Sequence, residues 1–156
     1  MTWDTAGLFT LWQDPAESSA QTPGFIVLPL PSHLSVGIPS IDDQHQSLLD
    51  QLHKLFSDPE DHPGSAVFSE ALSRLSGQLI DHFTSEEQVM RTLGLPPDML
   101  ARHMDDHNRI IEQITQLSFD LMQQRQIERK TIVARVKDWV LGHLTEHDLQ
   151  LRNRKP

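Results

Sequence analysis

Two pairs of metal-ligating side chains at helical spacing constrain this chain more than any other feature. In the stretch spanning residues 79–107, LIDHFTSEEQVMRTLGLPPDMLARHMDDH, His82 and Glu86 are four apart, and so are His103 and His107. At about 3.6 residues per turn each pair projects from one helical face. Between them lies Gly94-Leu95-Pro96-Pro97, in which the glycine closes one helix and the prolines open the next. The two helices therefore run antiparallel, with Glu86 and His103 at similar depths. Three more candidates fall at matching depths: His45 early in a first helix, and His143 and Asp148 late in a last one.

The apolar periodicity supports four such helices. Ser40-Ile41-Asp42-Asp43 has the Ser-x-x-acid form of a capping box, and Ile41, His45, Leu48, Leu52 and Leu55 then recur every three or four residues. This helix is expected to end near Phe56, before a Pro/Asp/Gly-rich loop over residues 57–64. Leu72, Leu75, Leu79, His82, Glu86, Met90 and Leu93 form the second stripe, and Leu100, His103, His107, Ile110, Ile114, Leu117 and Leu121 the third. After a connection around residues 124–128, Ile132, Val136, Trp139, Val140, His143 and Leu144 carry the fourth. The expected fold is all-α, an up-down-up-down antiparallel four-helix bundle with an N-terminal extension.

The candidate ligands occupy positions within these apolar stripes. A single histidine there is usually a core residue satisfied by one hydrogen bond. Five histidines and two carboxylates at one end of a bundle are a different matter. Burying them without a partner costs several kcal/mol, so a bound ion is the economical reading. One ambiguity remains at the end of the last helix. His143 and His147 have better helical spacing than His143 and Asp148, which are offset by about 140° on a continuous helix. Spacing alone favours His147.

Charge and composition exclude several alternatives. A net charge of -9 argues against a general nucleic-acid or anionic-membrane binder; the short basic run Arg152, Arg154, Lys155 reads as a frayed tail over residues 153–156 and its approach. The absence of cysteine excludes disulfides and thiolate metal sites. With no signal-like or membrane-spanning run, a cytoplasmic protein is expected. Residues 1–35 differ from the rest: Trp3, Leu8, Phe9, Leu11 and Trp12 precede a breaker-rich stretch and prolines 23, 29 and 31. They are expected to form a strap over the helical body, with a docking arm for a protein partner as the alternative. His33, His53 and His62 read as surface or loop residues.

The ordered set of motifs resembles the hemerythrins, especially the bacterial ones, over about residues 36–148. It consists of Val36-Gly37-Ile38, Ile41-Asp42-Asp43-Gln44-His45, His82-Phe83-Thr84-Ser85-Glu86-Glu87 with Met90, His103-x-x-x-His107, and Trp139-x-x-x-His143-x-x-x-x-Asp148. The resemblance implies a hemerythrin-like bundle over residues 36–152 holding two Fe ions, bridged by Glu86, Asp148 and an oxo or hydroxo group. It decides the last-helix ambiguity for Asp148, leaving His147 outside the ligand set. His103, His107 and His143 would hold one iron; His45 and His82 would hold the other. Three histidines with three bridges make six ligands, and two with three make five. The five-coordinate iron then has an open position for O2 or another small ligand such as azide. Val140 takes the place of a residue that packs beside bound O2 in the family, with Phe83, Leu49 and Leu144 as expected neighbours.

The implied function is reversible O2 binding for carriage, storage or sensing, without enzymatic turnover. Neutral imidazoles suit the lower iron states needed for reversible exchange, and with no tyrosine in the chain the usual phenol radical partner is missing. The alternatives are a di-iron enzyme or sensor for peroxide or nitric oxide, or an iron–sulfur repair-type protein.

Overall fold

The computed structural model describes residues 29–57 and 63–154. Four helices account for most of them: α1 (Pro39–Ser57), α2 (Ala66–Thr92), α3 (Pro97–Met122) and α4 (Arg129–Glu146). Short 3-10 turns stand at either end, Ser32–Leu34 and Asp148–Leu151. Each helix packs against the next in sequence. Residues from the start of α1, the end of α2, the start of α3 and the end of α4 meet at hydrogen-bonding distances, so the four alternate in direction as expected. No described helix is long and apolar enough to cross a membrane.

Local chemistry sets the boundaries. Ser65 caps α2, its side chain accepting from the Phe68 N–H at 3.0 Å. Gly94 takes φ +62°, where a side chain would be strained, and lets the Leu95 N–H reach back to the Met90 carbonyl. Pro97 then opens α3 at a position where the missing N–H costs nothing.

The start of α1 differs from expectation. The helix already begins at Pro39, so Ser40 lies within its first turn and the Ser-x-x-acid pattern does not mark the cap. Asp42 serves the incoming chain instead. Its carboxylate accepts from the N–H groups of Val36 (2.8 Å) and Gly37 (3.1 Å) and from the Ser35 hydroxyl (2.6 Å).

At the far end of the chain Arg152, read as part of a frayed tail, is anchored instead. Leu151 is fully buried, and the Arg152 guanidinium donates to the backbone carbonyls of Ser35 (2.8 Å) and His33 (2.6 Å). Residues 32–36, with Leu34 and Val36 buried, are thereby tied to the C-terminal turn. His33 itself is exposed and His53 half-buried, while His62 lies outside the described residues. The strap or docking arm expected over residues 1–35 falls mostly outside them as well.

The apolar stripes pack into two clusters. The larger runs along the bundle through Leu52, Leu75, Ile114 and Val136; the smaller joins Met90, Leu95 and Leu151 at the end. Between them lies a polar layer.

Candidate metal centre

That layer is the set of seven side chains singled out from the sequence. His45, His82, Glu86, His103, His107, His143 and Asp148 are each no more than 4% exposed. They form two adjoining groups that share Glu86: Glu86, His103, His107 and His143 in one, His45, His82, Glu86 and Asp148 in the other. Within each group the nearest ligand atoms lie within 4.8 Å of one another.

The two carboxylates each face both histidine sets. Asp148 turns Oδ1 toward His143 (2.7 Å) and His103 (3.1 Å), and Oδ2 toward His45 (2.9 Å) and His82 (3.7 Å). Each oxygen thus faces a different histidine set. Glu86 brings Oε2 to 3.2 Å from His107, 3.3 Å from His103 and 3.6 Å from His82.

Asp148 reaches this position because α4 stops short of it. His147, at φ -115° and ψ -59°, ends the helix, and Asp148 begins the 3-10 turn. The offset of a continuous helix therefore does not apply. His147 stays outside the ligand set, its ring stacked on that of His143 at 5.3 Å between centroids.

Second ring nitrogens fix which nitrogen points inward. His107 Nδ1–H donates to Glu87 Oε1 (3.1 Å), His143 Nδ1–H to Asp106 Oδ2 (2.7 Å) and His82 Nδ1–H to Gln44 Oε1 (3.0 Å). Each such bond leaves Nε2 free to offer a lone pair. Yet His143 Nε2 lies 3.1 Å from that of His107 and 3.2 Å from that of His103. Lone pairs converging so closely repel unless positive charge lies among them.

Electrostatics point the same way. Burial and the charge of Asp148 would raise the Glu86 pKa, but hydrogen bonds from His103, His107 and His143 hold it well below the usual carboxylate range. Burial would likewise raise Asp148, and the charge of His143 with bonds from His103 and His143 outweighs it. Burial opposes charge on His143, but Asp148, Asp106 and Glu86 push it up to about 11. In the metal-free protein protons supply the positive charge this layer demands. Glu86 Oε1 and His45 Nδ1 are nevertheless buried and find no hydrogen-bond partner among the described residues. A donor set of five imidazoles and two carboxylates with an orphaned carboxylate oxygen fits a pair of cations.

Comparison with known proteins agrees with this geometry. Residues 36–152 match the family model described as the hemerythrin HHE cation binding domain. The chain belongs to the hemerythrin family. It is 26% identical to a bacteriohemerythrin of Stenotrophomonas maltophilia (strain R551-3) over 117 residues, 74% of this chain and 72% of that protein. No solved structure matches it at comparable significance. Membership and the two clusters together make this chain a metal-binding protein.

The cavity beside the centre lies next to the two-histidine cluster. It measures about 20 Å³, room for one water-sized molecule, and touches His45, His82 and Asp148, with His143 of the other cluster also on its wall. Val140, Phe83, Leu49 and Leu144 all line it. Phe83 also stacks face to face on His107, centroids 4.0 Å apart, so the same ring closes the cavity and backs the other cluster.

The bracing roles of Gln44, Glu87 and Asp106 are not apparent from the sequence. Each immediately precedes or follows a ligand in sequence but braces a histidine on the next helix. A polar residue beside each ligand was the available signal, although adjacency alone does not say which histidine it serves.

Proposed function

We propose that this protein holds two iron ions and binds O2 reversibly at the position facing the cavity, without turnover. One observation carries the reading: an apolar cavity sized for a small molecule touches both histidines and the aspartate of the two-histidine cluster, but only His143 of the three-histidine cluster. His103, His107 and His143 would hold one iron and His45 and His82 the other, with Glu86 and Asp148 across both. Such a pair, when reduced, supplies an open coordination position and electrons for O2.

The protein's own contribution is to shape and dry the place. Leu49, Phe83, Val140 and Leu144 present carbon to the ligand, and Leu79 and Ile110 add to the apolar wall. With little space for an accompanying water, protonation and loss of bound oxygen as a reduced product are disfavoured. That exclusion supports reversible binding rather than consumption.

Anaerobic loading with ferrous iron, followed by optical spectra through cycles of air and argon, tests the proposal. Two irons per chain and a charge-transfer band that appears in air and vanishes under argon are expected. A single metal ion per chain, or immediate irreversible oxidation, counts against it.

Val140 offers a finer test. Valine is one methylene shorter than leucine, a difference of about 0.8 kcal/mol of buried group where the space is filled. Val140→Leu should fill part of the cavity, slow oxidation of the reduced centre in air several-fold, and weaken azide binding to the ferric form. Iron content should stay unchanged. If neither rate nor azide affinity moves, Val140 does not govern ligand access.

A further inference from the structure

The hydrogen bonds behind the histidines are unequal on the two sides. On the three-histidine side, His107 and His143 each donate to a carboxylate, Glu87 and Asp106. On the cavity side, His82 donates to the neutral amide oxygen of Gln44, and His45 Nδ1 is buried without a partner among the described residues. Nor is the Gln44 amide free to turn round. Its nitrogen donates to Ser85 Oγ at 3.0 Å, and that hydroxyl donates onward to the Asp81 carbonyl at 2.9 Å, which leaves the Gln44 oxygen facing His82.

We infer that Gln44 is a positioning residue that keeps the cavity-side metal position the electron-poorer of the two, and that this asymmetry sets the redox balance of the centre. A carboxylate accepting the remote N–H draws the proton away from the ring and raises the basicity of the inward nitrogen; an amide does so much less. Two carboxylates also place negative charge behind the three-histidine position, and the cavity side receives none from Gln44. The higher oxidation state is therefore favoured on the three-histidine side, and the position that meets small ligands retains the lower one. Amide and carboxylate alike orient the ring that they hold. Only the electronic effect differs.

This inference rests on the di-iron reading, and a reciprocal pair of variants separates the two. Gln44→Glu keeps an acceptor for His82 and adds charge; Glu87→Gln keeps an acceptor for His107 and removes it. Each iron-loaded protein is assayed for metal content, titrated with ferricyanide while its absorption is followed, and examined by Mössbauer spectroscopy after loading with 57Fe. Gln44→Glu should favour oxidation by about tenfold in the equilibrium constant, or about 59 mV for a one-electron couple, and bring the two iron signals of the half-oxidised form closer together. Glu87→Gln should disfavour oxidation by a similar factor. Unchanged potentials in proteins that hold two irons overturn the inference and leave Gln44 as an orienting residue alone. Should Gln44→Glu load poorly, Glu87→Gln decides by itself. Wild-type protein that fails to hold two irons overturns the di-iron reading, and this inference with it.

Discussion

Asp148→Ala should remove half or more of the bound metal and destabilise the metal-free protein by about 3–5 kcal/mol, the range for breaking a buried ion pair by deleting one partner. The carboxylate is essentially inaccessible and faces four histidines, two through each oxygen. Its loss leaves His103 and His143 with Glu86 as their remaining central counter-charge. His147→Ala makes the contrasting case. That ring is partly exposed and stacks on His143 from outside, so its removal should leave metal content intact. Metal analysis and thermal unfolding of both variants check the pair. Retention of two metals by Asp148→Ala, with loss in His147→Ala, would reverse the assignment.

Removal of the metal should lower the unfolding temperature by roughly 10–15 °C when the holoprotein is measured at about a thousandfold excess over the dissociation constant. Selective binding to the folded state then contributes about 4 kcal/mol, and a domain of this size shifts by a few degrees per kcal/mol. The sign of the pH dependence follows from the raised pKa values of His103 and His143. At neutral pH the metal-free site binds protons on these rings, and metal must displace them. Affinity should therefore rise with pH from neutral toward about 11, where His143 no longer holds its proton in the metal-free site. Calorimetry in buffers of different ionisation enthalpy reads the proton release. An apoprotein as heat-stable as the holoprotein, or metal uptake without proton release, would contradict this account.

How much of this was open to a reader of the sequence varied with the kind of constraint. The four helices and six of the seven convergent residues follow from period alone, because His45, His82, Glu86, His103, His107 and His143 lie on the same stripes as the core leucines. Asp148 does not. Helical phase pointed to His147, and the break at that residue, which re-aims the next one, has no local signature as plain as a glycine or proline. The cap of α1 failed for a related reason. Ser40 and Asp43 match a capping pattern, but the preference is local, and the tertiary demand of the Ser35–Gly37 backbone recruits Asp42 instead. Arg152 was equally opaque, since its carbonyl partners lie more than a hundred residues away in sequence. The outer acceptors were visible as residue types, but only packing reveals which histidine each one serves.

Those acceptors form an ordered chain of their own. Gln44 on α1 reaches His82 on α2, Glu87 on α2 reaches His107 on α3, and Asp106 on α3 reaches His143 on α4. Leucine stripes are forgiving: a helix that slides by one turn, about 5.4 Å, trades one leucine neighbour for another. The polar chain does not permit such a slip, because sliding any inner helix breaks one link upstream and one downstream. It works as a vernier, selecting a single vertical alignment among several that hydrophobic packing alone would accept. Every link also joins neighbours along the chain, so alignment can propagate from one hairpin to the next by local pairing, the kind of route that favours rapid folding. The metal pair then meets a cradle whose register was already chosen.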